Sequence, residues 1–344
     1  MSQYGNKLKL TLFGEDESSK TGLVLDGVPA GAKIQKDEMT AALCRYGEAP
    51  FFEIVSGVFE EHATGAPLCL LFSSETSGKT ADPIARPGLP GDLLFTKTHG
   101  FSDTRGDGIF TDRLHAPIIA SGCIARAVLR EKGIQLFSHI RALAGVEDDA
   151  LSAHPLTDET MEKLTHGKLP VLDKRKEMLM TLALEKAKHI GDTVGGQIEC
   201  AVTGLPIGLG NPPFDGLESK LSALLFSFAD VRGVSFGDGF EAAGHTGSQN
   251  NDEIFMDTLK GCPAAKSNHA GGIVGGLSNG MPLLFTVALR PSPKIQIEQS
   301  TVNFKLRHNT VLPPYDGQAP GVPEYPVLIE SAAAIAIVDA LLEN

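Results

Sequence analysis

The sequence predicts an α+β fold made of two related halves with helices packed inside, and three observations carry that expectation. First, a pair of turn motifs occurs twice. Leu25–Gly31 (LDGVPAG) is answered by Val202–Gly208 (VTGLPIG), and Gly57–Leu68 (GVFEEHATGAPL) by Gly272–Leu283 (GIVGGLSNGMPL). Glycine and proline keep their places in each pair, where they force turns, and self-similarity on this scale marks a duplicated unit. Second, an apolar strand follows each later turn, Cys69-Leu70-Leu71-Phe72 and Leu284-Phe285-Thr286-Val287. Third, small-residue segments close the halves, APIIASGCIARAVLREKG over 116–133 and ESAAAIAIVDALL over 330–342. Both carry apolar residues at helical spacing, and their Ala, Gly and Ser let neighbouring helices approach closely.

Each half then reads as strand, turn, strand, helix, strand and helix within one domain spanning 1–344. The halves run over about 1–144 and 189–344. Between them, roughly 145–188, lies a polar helical insertion (DETMEKLTHGKL, DKRKEMLMTLALEKAKHI), whose charged face reads as solvated surface. At the N-terminus the apolar run Leu8–Phe13 breaks at Gly14 into a loop with three adjacent acids, Glu15, Asp16 and Glu17. Adjacent side chains on an extended strand diverge, so these acids are poor metal ligands, and no metal site is expected.

A chain of 344 residues with 42% apolar content suffices for one large or two ordinary domains. Its five cysteines have no CxxC spacing, which fits buried thiols in a reducing compartment and not a disulfide framework or zinc site. With no signal peptide and no apolar run expected to span a bilayer, a cytoplasmic protein away from membranes is the expectation. A net charge of −12 argues against nucleic acid as a partner. It leaves room for a small anionic substrate in a local basic pocket.

Four polar clusters stand out. Ser267–Gly280 (SNHAGGIVGGLSNG) exposes successive backbone N–H groups suited to a phosphate or a flavin pyrimidine edge, with Asn268 and His269 as side-chain donors; bare composition favours a tight turn. It is neither GxGxxG in a βαβ unit nor GxxxxGK[ST]. Gly237–Ile254 (GDGFEAAGHTGSQNNDEI) suits an Asx-turn-rich loop. Asp103–Arg113 (DTRGDGIFTDR) places Arg105 and Arg113 around a turn. Lys305–Asn309 (KLRHN) is a short basic patch in which Arg307 and His308 suit either an anion or the surface.

The segments FGE, DGVPAG, SGVFE…TGAPL, RPG, GDGF, GSQNNDEI and SNHAGGIVGGLSNG occur in the order found in chorismate synthases, and over nearly the whole chain the sequence resembles that family. The resemblance implies a duplicated β-α-β sandwich with helices between the sheets, assembled as a homotetramer or homodimer. It implies reduced FMN as cofactor and anti elimination of phosphate from 5-enolpyruvylshikimate 3-phosphate to give chorismate, in the shikimate pathway to aromatic amino acids. The same resemblance assigns flavin contacts to Ser267, Asn268, His269, Ala270, Gly271, Arg290 and Ser292. It assigns anion contacts to Arg45, Arg105, Arg113 and Arg307, and places Asp16, Glu17, His308 and Asn309 at positions of chemistry.

Those positions depart from the family. FGESHG becomes Phe13-Gly14-Glu15-Asp16-Glu17-Ser18, so Asp16 stands for the serine and Glu17 for the acid histidine. RPG is kept at Arg86-Pro87-Gly88, but Leu89 replaces the histidine that follows it. RRRPG shrinks to Cys44-Arg45-Tyr46-Gly47, and RGGGRSSAR becomes the stretch from Arg105 to Arg113. GRHDP becomes Leu306-Arg307-His308-Asn309-Thr310, and KPTSSI becomes Arg290-Pro291-Ser292-Pro293-Lys294-Ile295. A substrate with a phosphate and two carboxylates needs several fixed cations. Here Asp16, Glu17, Asp107 and Asp112 stand where the family is neutral or basic. An uncompensated buried carboxylate costs several kcal/mol, and each lost general acid costs about 10²–10⁴-fold in rate. Glu17 replaces the histidine only if burial raises its pKa. Two readings follow: an FMN-using lyase of this family, or a paralogue that keeps the fold and serves another ligand or partner.

Overall fold

The structure, a computed structural model, describes residues 2–47, 49–73, 83–89, 94–101, 103, 105–154, 156–166, 169–258, 261–317 and 320–344. The first repeat runs through β1 (Gln3–Tyr4), β2 (Lys9–Phe13), β3 (Lys20–Asp26), α1 (Lys36–Tyr46) and β4 (Phe52–Ser56). A small hairpin, β5 (Val58–Phe59) and β6 (His62–Ala63), leads to β7 (Leu68–Ser73), then α2 (Thr96–His99) and α3 (His115–Glu131). The second repeat begins with β8 (Gln135–Leu143) and β9 (Val146–Glu147), and continues through α4 (Asp158–His166), α5 (Lys174–His189), β10 (Gly196–Thr203), α6 (Leu217–Leu225), β11 (Val231–Phe236) and α7 (Gly247–Asn250). Two hairpins follow, β12 (Ile254–Asp257) with β13 (Cys262–Ala265), and β14 (Ile273–Val274) with β15 (Leu277–Ser278). The chain closes with β16 (Leu283–Leu289), β17 (Gln299–Asn303), β18 (His308–Leu312) and α8 (Tyr325–Glu343).

The two five-stranded sheets have strand orders β1-β2-β3-β7-β4 and β11-β16-β10-β8-β9. Stripped of their edges, β2-β3-β7-β4 and β8-β10-β16-β11 are one topology used twice. The turn motifs sit at equivalent places, after β3 and β10 and through the hairpins before β7 and β16. In the second hairpin Gly275 and Gly276 take φ of 61° and 87°; in the first, Glu60 and Glu61 hold φ of 46° and 60°. A two-residue hairpin demands this left-handed backbone, and side chains there carry roughly 1–2 kcal/mol of strain each.

The repeat boundary differs from the expected one. Strand β8 lies before residue 144 yet pairs antiparallel with β10 along its length. The insertion therefore sits inside the second repeat, between its first two strands. The cause is burial: residues 136–140 are fully enclosed, and such a strand cannot leave its backbone groups unpaired. The insertion also contributes core, because Leu164, Leu169, Val171, Leu172 and Met180 are buried; residues 155, 167 and 168 of that stretch lie outside the described residues. His139 on β8 anchors it. Its Nδ1 lies 3.3 Å from Asp148 and its Nε2 2.8 Å from Glu199, and Asp148 also accepts the N–H of Asp173 at 3.1 Å.

Helices α1, α3, α6 and α8 fill the space between the sheets. α3 and α8 touch at Gly122, where a Cβ would lie 2.2 Å from that of Ser331, so the small residues serve close approach. One expectation is corrected here: Val322–Glu343 is long and apolar enough to cross a bilayer. It is the core helix instead, enclosed by both repeats, and its acids are paired inside the protein. Glu330 meets Arg45 at 3.1 Å and Arg126 at 2.6 Å. Burial opposes the charge of Glu330, but the two guanidinium groups outweigh it and hold the carboxyl below its ordinary range. Asp339 accepts the N–H groups of Asn6, Lys7 and Leu8 and meets Lys220 at 3.2 Å, tying the N-terminal segment down. Of the cysteines, Cys200 is buried, Cys69 and Cys123 are half-buried and Cys44 is exposed, all four free thiols. The expectation of buried thiols thus holds fully for Cys200. The Cys262 side chain lies outside the described residues.

Candidate functional site

The acid loop is a tight, clamped turn. Ser18 N–H donates to the Glu15 carbonyl at 3.1 Å and the Ser18 hydroxyl accepts the Glu15 N–H at 2.9 Å. Arg113 at the start of the α3 segment donates to the carbonyl oxygens of Glu15, Asp16 and Ser18. The turn aims Asp16 inward. Its carboxylate accepts the Asp107 N–H at 3.0 Å and the Thr111 hydroxyl at 2.8 Å. Gly106 permits this approach, since a Cβ there would lie 2.0 Å from the Asp16 oxygen.

Asp16 borders a cavity of about 430 Å³, lined also by Tyr46, Arg86, Asp107, Asp112, Arg113, Lys294 and Tyr315. Three cations and three carboxylates thus share one wall system. Arg86 donates to Asp107 at 2.8 Å and to the Gly106 carbonyl at 2.6 Å. Lys294 Nζ lies 2.7 Å from both Asp107 and Asp112, and 5.9 Å from the Tyr315 ring centroid. Burial opposes the lysine's charge, but Asp112 and Asp107 outweigh it and hold the ammonium protonated, with its pKa raised. The Arg113 guanidinium is taken up by backbone carbonyls. The cavity's cations are therefore met by the protein's own oxygens.

A second cavity of about 200 Å³ adjoins the first and shares Asp107, Thr111, Asp112 and Lys294 with it. Its wall holds His115, Asp230, Arg290 and Tyr325. Asp230 accepts from Arg290 at 2.9 Å and from the Tyr325 hydroxyl at 2.7 Å. His115 is hydrogen-bonded through Nδ1 to the Tyr46 hydroxyl. Burial lowers the His115 pKa and raises that of Tyr46, so both are neutral near pH 7. The pair joins the two cavities: Tyr46 faces the larger and His115 the smaller.

The residues singled out from sequence scatter. Asp16 and Arg113 line the large cavity, and Arg290 and Ser292 the small one. Glu17, the neighbour of Asp16, lines neither. Arg45 is committed to Glu330 in the helical layer, and Arg105 pairs with Asp103 at 2.6 Å on the surface. Arg307 sits at φ 58° in the turn between β17 and β18, and His308 and Asn309 follow it, all exposed. Among the described residues, Ser267, Asn268, His269, Ala270 and Gly271 line neither cavity.

The 267–271 loop does make a cradle of donors, but an acid of the same chain fills it. Asp252 accepts the Ser267 hydroxyl at 2.6 Å, the His269 N–H at 2.8 Å and the Ala270 N–H at 3.0 Å. Asn268 spans from the Pro282 carbonyl to the Gly272 N–H, 2.8 Å each way, and His269 Nδ1 meets Asp238 at 2.7 Å. The Ser267 hydroxyl and the His269 and Ala270 N–H groups are thus engaged within the chain. Sequence reasoning missed Lys294 and Tyr46 as site residues; it raised His115, with His99 and His308, for proton transfer but favoured an ordinary hydrogen-bonding role, and did not foresee its bond to Tyr46. Lys294 stood inside the KPTSSI-like stretch, where a cation in place of a small hydroxyl residue was the available signal.

The family model for chorismate synthase matches residues 8–342. The chain belongs to the chorismate synthase family. A chorismate synthase of Lachnoclostridium phytofermentans is 33% identical over 368 aligned residues, covering 100% of this chain and 95% of the relative. One of Dehalococcoides mccartyi is 35% identical over 324 residues, covering 90% and 87%. A crystal structure of chorismate synthase superimposes with a TM-score of 0.80 at 24% identity, covering 98% of this chain and 92% of that one, which agrees with the α+β sandwich described above. Membership places the chain in a lyase family of the shikimate pathway.

Proposed function

We propose that this protein keeps the chorismate synthase scaffold and cavity but eliminates phosphate from 5-enolpyruvylshikimate 3-phosphate, with reduced FMN, far more slowly than its family, and that its cavity suits a ligand with less negative charge. The observation that carries this reading is the pairing of Lys294 with Asp107 and Asp112, 2.7 Å each. A substrate with a phosphate and two carboxylates must displace those acids from the lysine or lie beside them. Two like charges about 4 Å apart at an effective dielectric near 20 repel by roughly 4 kcal/mol. Loss of the two family histidines, at Glu17 and Leu89, adds about 10²–10⁴-fold each. Exposed apolar side chains on the second repeat, Phe214, Phe240, Ile254 and Met256 among them, support assembly as a homodimer or homotetramer, which light scattering measures.

Anaerobic chorismate formation with reduced FMN tests the reading, run beside the Lachnoclostridium relative as positive control. The expected kcat/KM is at least about 10³-fold below the control. A value within about tenfold of it overturns the proposal. It would establish the second reading, full elimination activity, which the 33–35% identity to chorismate synthases across nearly the whole chain supports.

A further inference from the structure

We propose that Asp112 is the specificity-determining residue of the large cavity: its carboxylate acts as a built-in ligand for Lys294 and masks a seat for a small oxyanion. The inference rests on the reading that this cavity is the ligand site.

The three members of the cluster are not equivalent. Asp107 is held on both oxygens, Oδ1 by Arg86 at 2.8 Å and Oδ2 by Lys294 at 2.7 Å, and its side chain is 8% exposed. Lys294 is nearly as enclosed, at 13%. Asp112 is 32% exposed and meets the lysine through Oδ2 at 2.7 Å. It is the partner with room to leave. All three line both cavities, so they form the partition between them, and a withdrawn Asp112 carboxylate would leave its place open to a ligand from either side.

Charge defines the class of occupant. An ammonium has three donors and no acceptor, and a lysine enclosed in a low-dielectric wall needs an anion near it. With Asp112 in place the two carboxylates satisfy Lys294 and repel a third anion. With Asp112 neutral, Lys294 and Arg86 share the single charge of Asp107, and one unit of positive charge is left for a phosphate or carboxylate oxygen. The chain thus carries cation and mask together, at positions 294 and 112, far apart in sequence.

The test is calorimetric titration of inorganic phosphate, at pH 7.5 and fixed ionic strength, into the wild-type protein, Asp112→Asn, Asp112→Ser and the double variant Asp112→Asn/Lys294→Met. Acetate in a parallel arm separates a phosphate seat from a general carboxylate seat. Asp112→Asn and Asp112→Ser are expected to bind phosphate at least about tenfold more tightly than wild type, and Lys294→Met is expected to remove the gain. Wild-type affinity in both single variants, with circular dichroism showing them folded, overturns the proposal. So does a gain that survives Lys294→Met, because the anion would then sit elsewhere. Failure of the proposed function appears in a different readout, chorismate formation by the wild-type protein, and does not alter the phosphate comparison among variants.

Discussion

Two buried ion clusters in this protein are mirror images. In the helical layer one carboxylate, Glu330, stands between two cations, Arg45 and Arg126. At the cavity wall one cation, Lys294, stands between two carboxylates, Asp107 and Asp112. The first joins α1, α3 and α8, with Ser138 of β8 adding a hydrogen bond at 2.9 Å; every partner belongs to a packed element. The second lies where space is open on two sides. The same chemistry holds a core together in one place and stands in for a ligand in the other. Whether a paired charge is structural or functional depends on what volume adjoins it.

Breaking each cluster sharpens that contrast. Glu330→Ala leaves two guanidinium groups facing each other without an anion, and it is expected to cost about 3–5 kcal/mol of stability in urea denaturation. A loss under about 1 kcal/mol would mean that solvent reaches the cluster and that it is not a core tie.

The His139 cluster offers an intermediate case. His139→Gln is expected to cost about 1–3 kcal/mol, the price of leaving buried carboxylates short of a donor. Burial opposes the charge of His139, but hydrogen bonds to Asp148 and Glu199 outweigh it and raise its pKa. Its contribution is therefore full below the unfolded value of about 6.5 and fades as pH rises through the folded value. Asp148 has the opposite sign. Burial opposes its charge, but bonds from His139, Leu172 and Asp173 hold its pKa low, so its contribution is present above about 3.9 and lost as pH falls through the folded value. The difference in urea midpoint between wild type and His139→Gln should be largest between those limits and shrink towards pH 9. A gap that is flat with pH would contradict the charged assignment.

Smaller effects belong to the cavity and the surface. Asp112→Asn should change stability by less than about 1 kcal/mol, since its side chain is 32% exposed, while changing anion binding. Arg105→Ala, which removes an exposed pair with Asp103, should leave both the urea midpoint and phosphate binding at the wild-type level.

The parts of the fold legible in the sequence were those encoded locally. Gly and Pro at matched places revealed the duplicated turns, and Ala, Gly and Ser in the two closing helices foretold the contact at Gly122. Strand β8 escaped because no turn motif announces it and its partner β10 lies beyond the insertion. The site was harder to read because its pairs are long-range. Asp112 and Lys294 are 182 positions apart and Arg45 and Glu330 are 285 apart, so an intrusive acid was visible without the cation that answers it. The 267–271 cradle showed its donors in sequence, but that Asp252 fills it is a matter of loop path. Among the adjacent acids, the turn closed by Ser18 decides that Asp16 enters the cavity wall.

The cavity's cations are already satisfied from within. Isothermal titration of 5-enolpyruvylshikimate 3-phosphate into the wild-type protein, with and without FMN, tests it most directly. No saturable binding is expected below about 1 mM, that is, binding weaker than about −4 kcal/mol. Saturation in the micromolar range at one site per chain would overturn it, because a ligand with three anionic groups would then have found cations that Asp107 and Asp112 do not hold.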